Sequence, residues 1–214
     1  TVYGEHAPMP VNEESPMGKP ASPYGATKQM GEQMITDLIG AGSMERAVIL
    51  RYFNPAGAHL SGLIGECPRH PVSHLVPVIA QVASGDRPFL SIYGDDYPTR
   101  DGSCIRDYIH VSDLARAHVQ ALEYSMQSMN TGCEYFNLGS GEGVSVKEAV
   151  RAFEKATGIE IPVRISARRP GDMAAIYADT TRAEKVLKWE RHYDLYDIMG
   201  SAWQFEQDRK DILS

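Results

Sequence analysis

What this sequence has little of sets its first limits. Cysteine is scarce: Cys67, Cys104 and Cys133 are odd in number and widely spaced. They form no disulfide framework, redox pair or metal pattern, and free thiols in a reducing cytosol are expected. No apolar run approaches the roughly twenty residues that a bilayer-crossing helix needs; Ala47-Val48-Ile49-Leu50 is typical in length. No basic cluster offsets the formal net charge of −7, which argues against a nucleic-acid footprint. The seven histidines are scattered, so no metal site is expected. An initiator Met is also missing. The chain starts at Thr1 with no signal or transit peptide ahead of it, and reads as a fragment that begins inside a fold.

What is there suits a globular protein. Hydrophobic residues make 43% and charged residues 23% of 214 positions, enough for one core of ordinary size or parts of two. Thr1-Val2-Tyr3-Gly4 reads as the tail of a buried strand, and Glu5 to Pro23, with its five prolines, as a loop. A helix is expected from Tyr24 to about Ala41. Met30, Met34 and Leu38 repeat every four residues and Ile35 and Ile39 widen the stripe, which reads as core. Arg46 to Tyr52 runs apolar without alternation, as a strand covered on both faces should. Strand–helix–strand succession implies a parallel sheet.

Further along, the pattern predicts a helix over Leu75 to Ser84 and strands over Phe89 to Gly94 and Arg106 to Val111. Asp113 is expected to cap a helix running to about Tyr124, with a strand at Tyr135 to Leu138. Ser145 and Glu148 form a capping box for a helix that Gly158 ends. A strand at Ile161 to Ile165 and helices centred near Val186 and Met199 complete an α/β chain.

Tyr24 and Lys28 carry the chemistry most directly. Four residues apart on a helix, they share one face. A phenol has a reference pKa of about 10, and a neighbouring ammonium favours its ionised form. Such a pair suits removal of a hydroxyl proton while hydride leaves the same carbon. The spacing by itself is equally that of a core aromatic beside a solvated lysine.

Longer runs narrow the choice. They are Thr1 to Gly4, Ser22 to Lys28, Leu50 to His59, Gly65-Glu66 with Leu75 to Val82, Tyr93 to Tyr97, Asp101-Gly102, Arg106 to Val111, Asn137-Leu138-Gly139 and Arg168 to Asp172. In this order and spacing the chain resembles the nucleotide-sugar 4-epimerases of the extended short-chain dehydrogenase/reductase family. The resemblance implies the C-terminal part of a Rossmann-like doubly wound parallel sheet plus a smaller α/β nucleotide-sugar-binding domain. Residues 1–57 and 104–126 would belong to the NAD-binding unit, and 58–103 and 127–214 to the UDP-sugar-binding unit.

It implies, too, that UDP-glucose and UDP-galactose are interconverted by transient oxidation at C4, with bound NAD. Tyr24 would be the acid/base residue, Lys28 would hold the nicotinamide ribose, and Tyr52 and Phe53 would border the nicotinamide. The UDP-sugar would meet Asn54, His74, Leu75, Ser91, Ile92, Tyr93, Arg106, Arg169 and Asp172, and Ile176 would line the sugar pocket. Two arginines from distant segments can fork onto a diphosphate. His74 departs from the family, which usually has Asn there; neutral His offers one donor and one acceptor where Asn offers two donors and an acceptor. A cytoplasmic homodimer is implied for the complete protein.

The glycine-rich turn that cradles a dinucleotide pyrophosphate occurs nowhere in these residues, so the 214 residues alone are not expected to hold NAD. Two other readings stay open. One is a nucleotide-sugar dehydratase or decarboxylase, which needs a further carboxylate beside the tyrosine, with Glu13 and Glu14 the nearest upstream. The other is a non-catalytic, truncated nucleotide-sugar-binding module.

Overall fold

The first helix begins where a hydroxyl stands ahead of a proline. In the computed structural model, which describes residues 2–4, 7–20, 22–67 and 72–213 with the side chains of 210–213 left aside, Ser22 Oγ accepts from Gly25 N at 3.1 Å. Pro23 opens α1 (Pro23–Gly40), where its missing N–H costs nothing. Ala41 caps the far end, and Gly42 follows in the left-handed region at φ +71°.

Periodicity located α1 but not its buried side. Met30, Met34 and Leu38 are 62%, 65% and 44% exposed, while Gly25 and Glu32 are the buried positions. The expected core stripe is a surface stripe, because a repeat of about 3.6 residues marks a face without saying what covers it.

After α1 the chain forms β1 (Arg46–Tyr52), β2 (Asn54–Ala56), α2 (Leu75–Ala83), β3 (Leu90–Tyr93), β4 (Ile105–Arg106) and β5 (Tyr108–His110). Then come α3 (Val111–Gln127), β6 (Gly132–Leu138), β7 (Val144–Ser145), α4 (Val146–Thr157), β8 (Val163–Ser166), α5 (Thr181–Val186) and α6 (Leu195–Leu213). Three strand pairs are parallel: β1 with β6 from Arg46↔Gly132 to Tyr52↔Leu138, β2 with β5, and β3 with β8. β4 and β7 run antiparallel. Gly132–Leu138 falls in the stretch expected in the sugar-binding unit, yet it pairs with β1 along its whole length. Ala47 to Leu50 are half-buried rather than covered on both faces.

Local signals held unevenly. The box at α4 is complete, with Ser145 Oγ accepting from Glu148 N and Glu148 Oε2 from Ser145 N at 2.8 Å, and Gly158 closes the helix at φ +74°. Asp113 does not cap α3. His110 does, its Nδ1 accepting from Ser112 N at 3.1 Å. Asp113 is instead fully buried, receiving Arg116 and the backbone N–H groups of His192 and Tyr193. Thr1 lies outside the described residues, and of the expected N-terminal strand only a single bridge, Tyr3 to Met17, is present.

The expected strand over Arg106 to Val111 is broken at Asp107. This buried carboxylate accepts from Ser140 N (2.5 Å), Ser140 Oγ (2.7 Å), Gly141 N (3.3 Å) and Ala178 N (3.0 Å). Gly139 leaves it room, since a Cβ there would lie 2.3 Å from Asp107 Oδ2. Burial raises its pKa, against the pull of those four bonds. The turn it ties down carries Arg106.

Two larger apolar cores flank this turn. Val76, Ile79, Leu90, Ile92, Phe153 and Met199 join α2, β3, α4 and α6. Ile109, Phe136, Leu138 and Trp189 join β5, β6 and the segment after α5, with α3 supplying Ala117 and Ala121. The site lies between elements of both.

Candidate active site

A cavity of about 900 Å³ opens between the N-terminus of α1, the end of β1, α2, β3 and β4. Its position follows from where strands end. β1 stops at Tyr52, and Phe53 N donates to Leu138 O while Asn54 N donates to Asp107 O, so the chain steps from one strand pair to the next. Tyr52, Phe53 and Asn54 come to line the cavity at that step. Tyr24, in the first turn of α1, lines the same space with 62% of its surface exposed. Lys28 stands one turn further, its Nζ 5.0 Å from the centre of the Tyr24 ring.

The cavity also has a cationic lining. Arg106 enters from β4, with Nη1 donating to Ile105 O and Met173 O at 2.8 Å each and Nη2 lying 3.5 Å from Asp172 Oδ1. Arg169 comes from a distant loop, its Nε 3.0 Å from Asp172 Oδ2 and its guanidinium 4.5 Å from the centre of the Tyr93 ring. Asp172 therefore holds both guanidinium groups in one place. Arg87 lines the cavity as a third arginine, tied to Gln81 Oε1 and Val72 O at 2.8 Å each. Among the described lining residues, three arginines face a single carboxylate, Asp172, in a chain whose net charge is −7. Such a wall suits a polyanion such as a diphosphate.

Most of the expected residues meet here. His74 and Leu75 line the cavity at the N-terminus of α2. His74 makes no cap bond to the helix; its Nδ1 lies 2.8 Å from Glu66 Oε1 at the rim. Ser91 and Tyr93 face the cavity from β3, whereas Ile92 between them is 3% exposed and joins the core, as the alternation of a strand requires. Ile176, expected to line the sugar pocket, is 6% exposed in a core with Val2, Tyr3 and Val11, against Phe53, and does not reach the cavity.

Sequence reasoning missed Val72, Arg87, Phe89, Cys104, Tyr108 and Val146, which also line it. They sit in no motif with a chemical signature, and only the fold gathers them. Glu13 is not available beside Tyr24, since its Oε1 accepts from Asn137 N at 2.7 Å. Glu14 is exposed in the turn whose N–H bonds to Asn12 Oδ1.

Known proteins resemble this arrangement closely. The protein-family model described as GDP-mannose 4,6 dehydratase matches residues 1–201. A Bacillus subtilis protein named UDP-glucose 4-epimerase is 48% identical over 206 residues, which are 96% of this chain and 60% of the relative. One of the same name from Drosophila melanogaster is 47% identical over 96% of this chain and 59% of its own. The chain thus spans about three fifths of the length of the curated relatives it matches.

Among solved structures, UDP-glucose-4-epimerase from Stenotrophomonas maltophila with bound NAD and formylated UDP-arabinopyranose superposes with a TM-score of 0.94 at 44% identity, over 99% of this chain and 62% of that one. The Bifidobacterium longum enzyme in complex with NAD+ and UDP gives 0.93 at 43% identity, over 98% and 62%. The fold is the Rossmann-like α/β fold of these proteins across nearly the whole chain.

Proposed function

The chain belongs to the GDP-mannose 4,6 dehydratase family, and from that premise we propose that the full-length protein is an isomerase that interconverts UDP-glucose and UDP-galactose with NAD as cofactor. The observation that carries this reading is the cavity itself. It is lined by an exposed tyrosine and by a pair of guanidinium groups set by one carboxylate.

The residues on the Tyr24 side fit a nicotinamide. Tyr24, Tyr52 and Phe53 offer ring surface to the cavity, and Lys28, beside the Tyr24 ring, is assigned to a ribose hydroxyl. NAD, when bound, supplies the acceptor and later the donor of the C4 hydride. Tyr24 Oη takes the proton of the sugar 4-hydroxyl as the hydride leaves and gives it back as the hydride returns. Arg106 and Arg169 grip the diphosphate throughout, so binding energy far from C4 keeps the oxidised sugar in place while it turns over. Asn54, His74, Leu75, Ser91 and Tyr93 complete the nucleotide-sugar side, and 1–57 with 104–126 are assigned to the part of the NAD-binding unit that this chain carries.

Asp172 as the sole lining carboxylate among the described residues weighs against a dehydratase or decarboxylase. Expulsion of a group after oxidation needs an acid/base carboxylate near the tyrosine, and Asp172 is occupied by two arginines. Three free cysteines suit a reducing cytoplasm, and the exposed stripe of Met30, Met34 and Leu38 suits a homodimer contact. No helix among the described residues is long and apolar enough to cross a membrane.

Proton NMR of the full-length protein with UDP-galactose, and in parallel with GDP-mannose, tests the reading. The expected result is the appearance of UDP-glucose in the first sample alone. Formation of a 4-keto-6-deoxy sugar, or no turnover of UDP-galactose, overturns it.

A further inference from the structure

Tyr24, Lys28 and Glu32 follow one another at four-residue intervals along α1. Tyr24 lines the candidate site and Lys28 lies beside its ring without lining the cavity, whereas Glu32 is 7% exposed and points into the protein. There Arg51, on β1, grips it with both edges of the guanidinium: Nε to Oε1 at 2.9 Å and Nη2 to Oε2 at 2.6 Å. Both side chains are 8% exposed. The remaining Arg51 nitrogen, Nη1, donates to Tyr3 Oη and to Glu13 O at 3.1 Å each. The Tyr3 hydroxyl in turn donates to Asn137 Oδ1 at 2.5 Å, and Asn137 Nδ2 to Val11 O at 2.9 Å. The guanidinium also stacks between two rings, 5.1 Å from the centre of Tyr3 and 4.6 Å from that of Tyr135.

We propose that Arg51 is a positioning residue for the chemistry at Tyr24. By gripping Glu32 it sets the rotation of α1 about its axis, and so the direction in which Tyr24 and Lys28 point. Several features single out this pair. A fork-to-fork contact fixes angle as well as distance, unlike apolar packing. Elsewhere the helix is held by single polar bonds rather than by apolar packing, because its methionine stripe is exposed and Gly25 is its other buried residue. Gln29 Nε2 adds a second tether to Val2 O (3.0 Å) and Gly18 O (2.8 Å), and Thr36 Oγ1 a third, 3.2 Å from Tyr135 Oη, but neither is a two-bond fork.

Eight residues of helix separate Glu32 from Tyr24, about 12 Å along the axis. A small rotation at the clamp therefore reaches the hydroxyl almost undiminished. Misplacement of a reacting group by about 1 Å can cost on the order of a hundredfold in rate.

The inference rests on the reading of Tyr24 as the acid/base group, and the test keeps the two separable. Arg51→Met combined with Glu32→Leu removes the lock while leaving no buried charge unpaired, a replacement that is often neutral or better for stability. In the full-length protein the double variant is expected to lose at least about tenfold in kcat, with KM for UDP-galactose changed less than about threefold. Arg51→Lys, which keeps the charge and one bond but not the fork, should fall between the two. Incorporated fluorotyrosine, with the Tyr24 signal assigned through Tyr24→Phe, should give a shifted or split line in the double variant. Wild-type kcat at unchanged melting, or an unmoved Tyr24 signal, would overturn the proposal. If the double variant fails to fold, the same two readouts on Arg51→Lys decide it. If the wild type turns over no UDP-hexose, the functional reading falls and the fluorine signal alone decides the positioning.

Discussion

Replacing Arg169 by Ala should separate ligand recognition from folding more cleanly than any other change in the cavity. Its guanidinium has two contacts in the structure, Asp172 at 3.0 Å and the face of Tyr93 at 4.5 Å, and its side chain is 54% exposed. Exposed i,i+3 pairs contribute a few tenths of a kcal/mol and an exposed cation–π contact about 0.5–1 kcal/mol. Stability should therefore fall by about 1 kcal/mol or less. A hydrogen bond to a charged group contributes about 1.5–3 kcal/mol, so loss of the fork onto a diphosphate should weaken UDP binding by roughly ten- to a hundredfold.

Arg106→Ala provides the contrast. That residue also satisfies Met173 O, whereas Ile105 O keeps its bond from Ile176 N, and leaving Met173 O unpaired costs about 1–3 kcal/mol of stability on top of the lost affinity. Calorimetric titration with UDP, paired with thermal melting, reads both quantities for both variants. If Arg169→Ala binds UDP within about twofold of wild type, the cationic wall does not hold the diphosphate, because no rival structural role is left to mask the effect.

Tyr24→Phe should lower kcat at least about a hundredfold, in line with the loss of general acid/base catalysis, while UDP titrates unchanged; a variant retaining a tenth of wild-type kcat refutes the assignment. Asp107→Asn should destabilise the fold by about 1–3 kcal/mol in urea unfolding, since the amide NH₂ would meet either the N–H of Ser140 or those of Gly141 and Ala178 where an acceptor now stands. His110 should make stability pH-dependent. Its Nδ1 accepts from Ser112 N, so the neutral ring donates through Nε2 to Ser201 Oγ at 3.2 Å, and burial lowers its pKa despite Asp113 and Asp197 nearby. With the folded value below the unfolded one of about 6.5, the unfolded chain binds the extra proton. Stability is then full above that pH and declines as pH falls through it. His110→Gln should flatten this acid limb, and an unchanged slope would refute the neutral assignment.

Much of this protein was legible without a structure wherever the signal was local. The box of Ser145 and Glu148 and the Gly158 stop depend on contacts within a few residues and fell where expected, and α1 starts one residue before the expected Tyr24. The runs that carry the family resemblance likewise marked Tyr24, Asn54, Arg106, Arg169 and Asp172, all of which line one cavity. Periodicity could not say which face of α1 is buried. Nor could it tell that His110 rather than Asp113 caps α3, because both choices are settled by what lies across the gap.

The tertiary structure alone decided the assignments that depend on distant partners. β6 sits beside β1 through a ladder of seven residue pairs that no stretch of sequence encodes by itself. Ile176 went to the core because Val2, Tyr3 and Val11 arrive there from the other end of the chain. Glu32 looks like any solvated helix glutamate until Arg51, nineteen residues on, reaches it with both donors at a site where both side chains are only 8% exposed. Local bonding is written in neighbouring residues, whereas burial and charge pairing are properties of the space that distant segments enclose together.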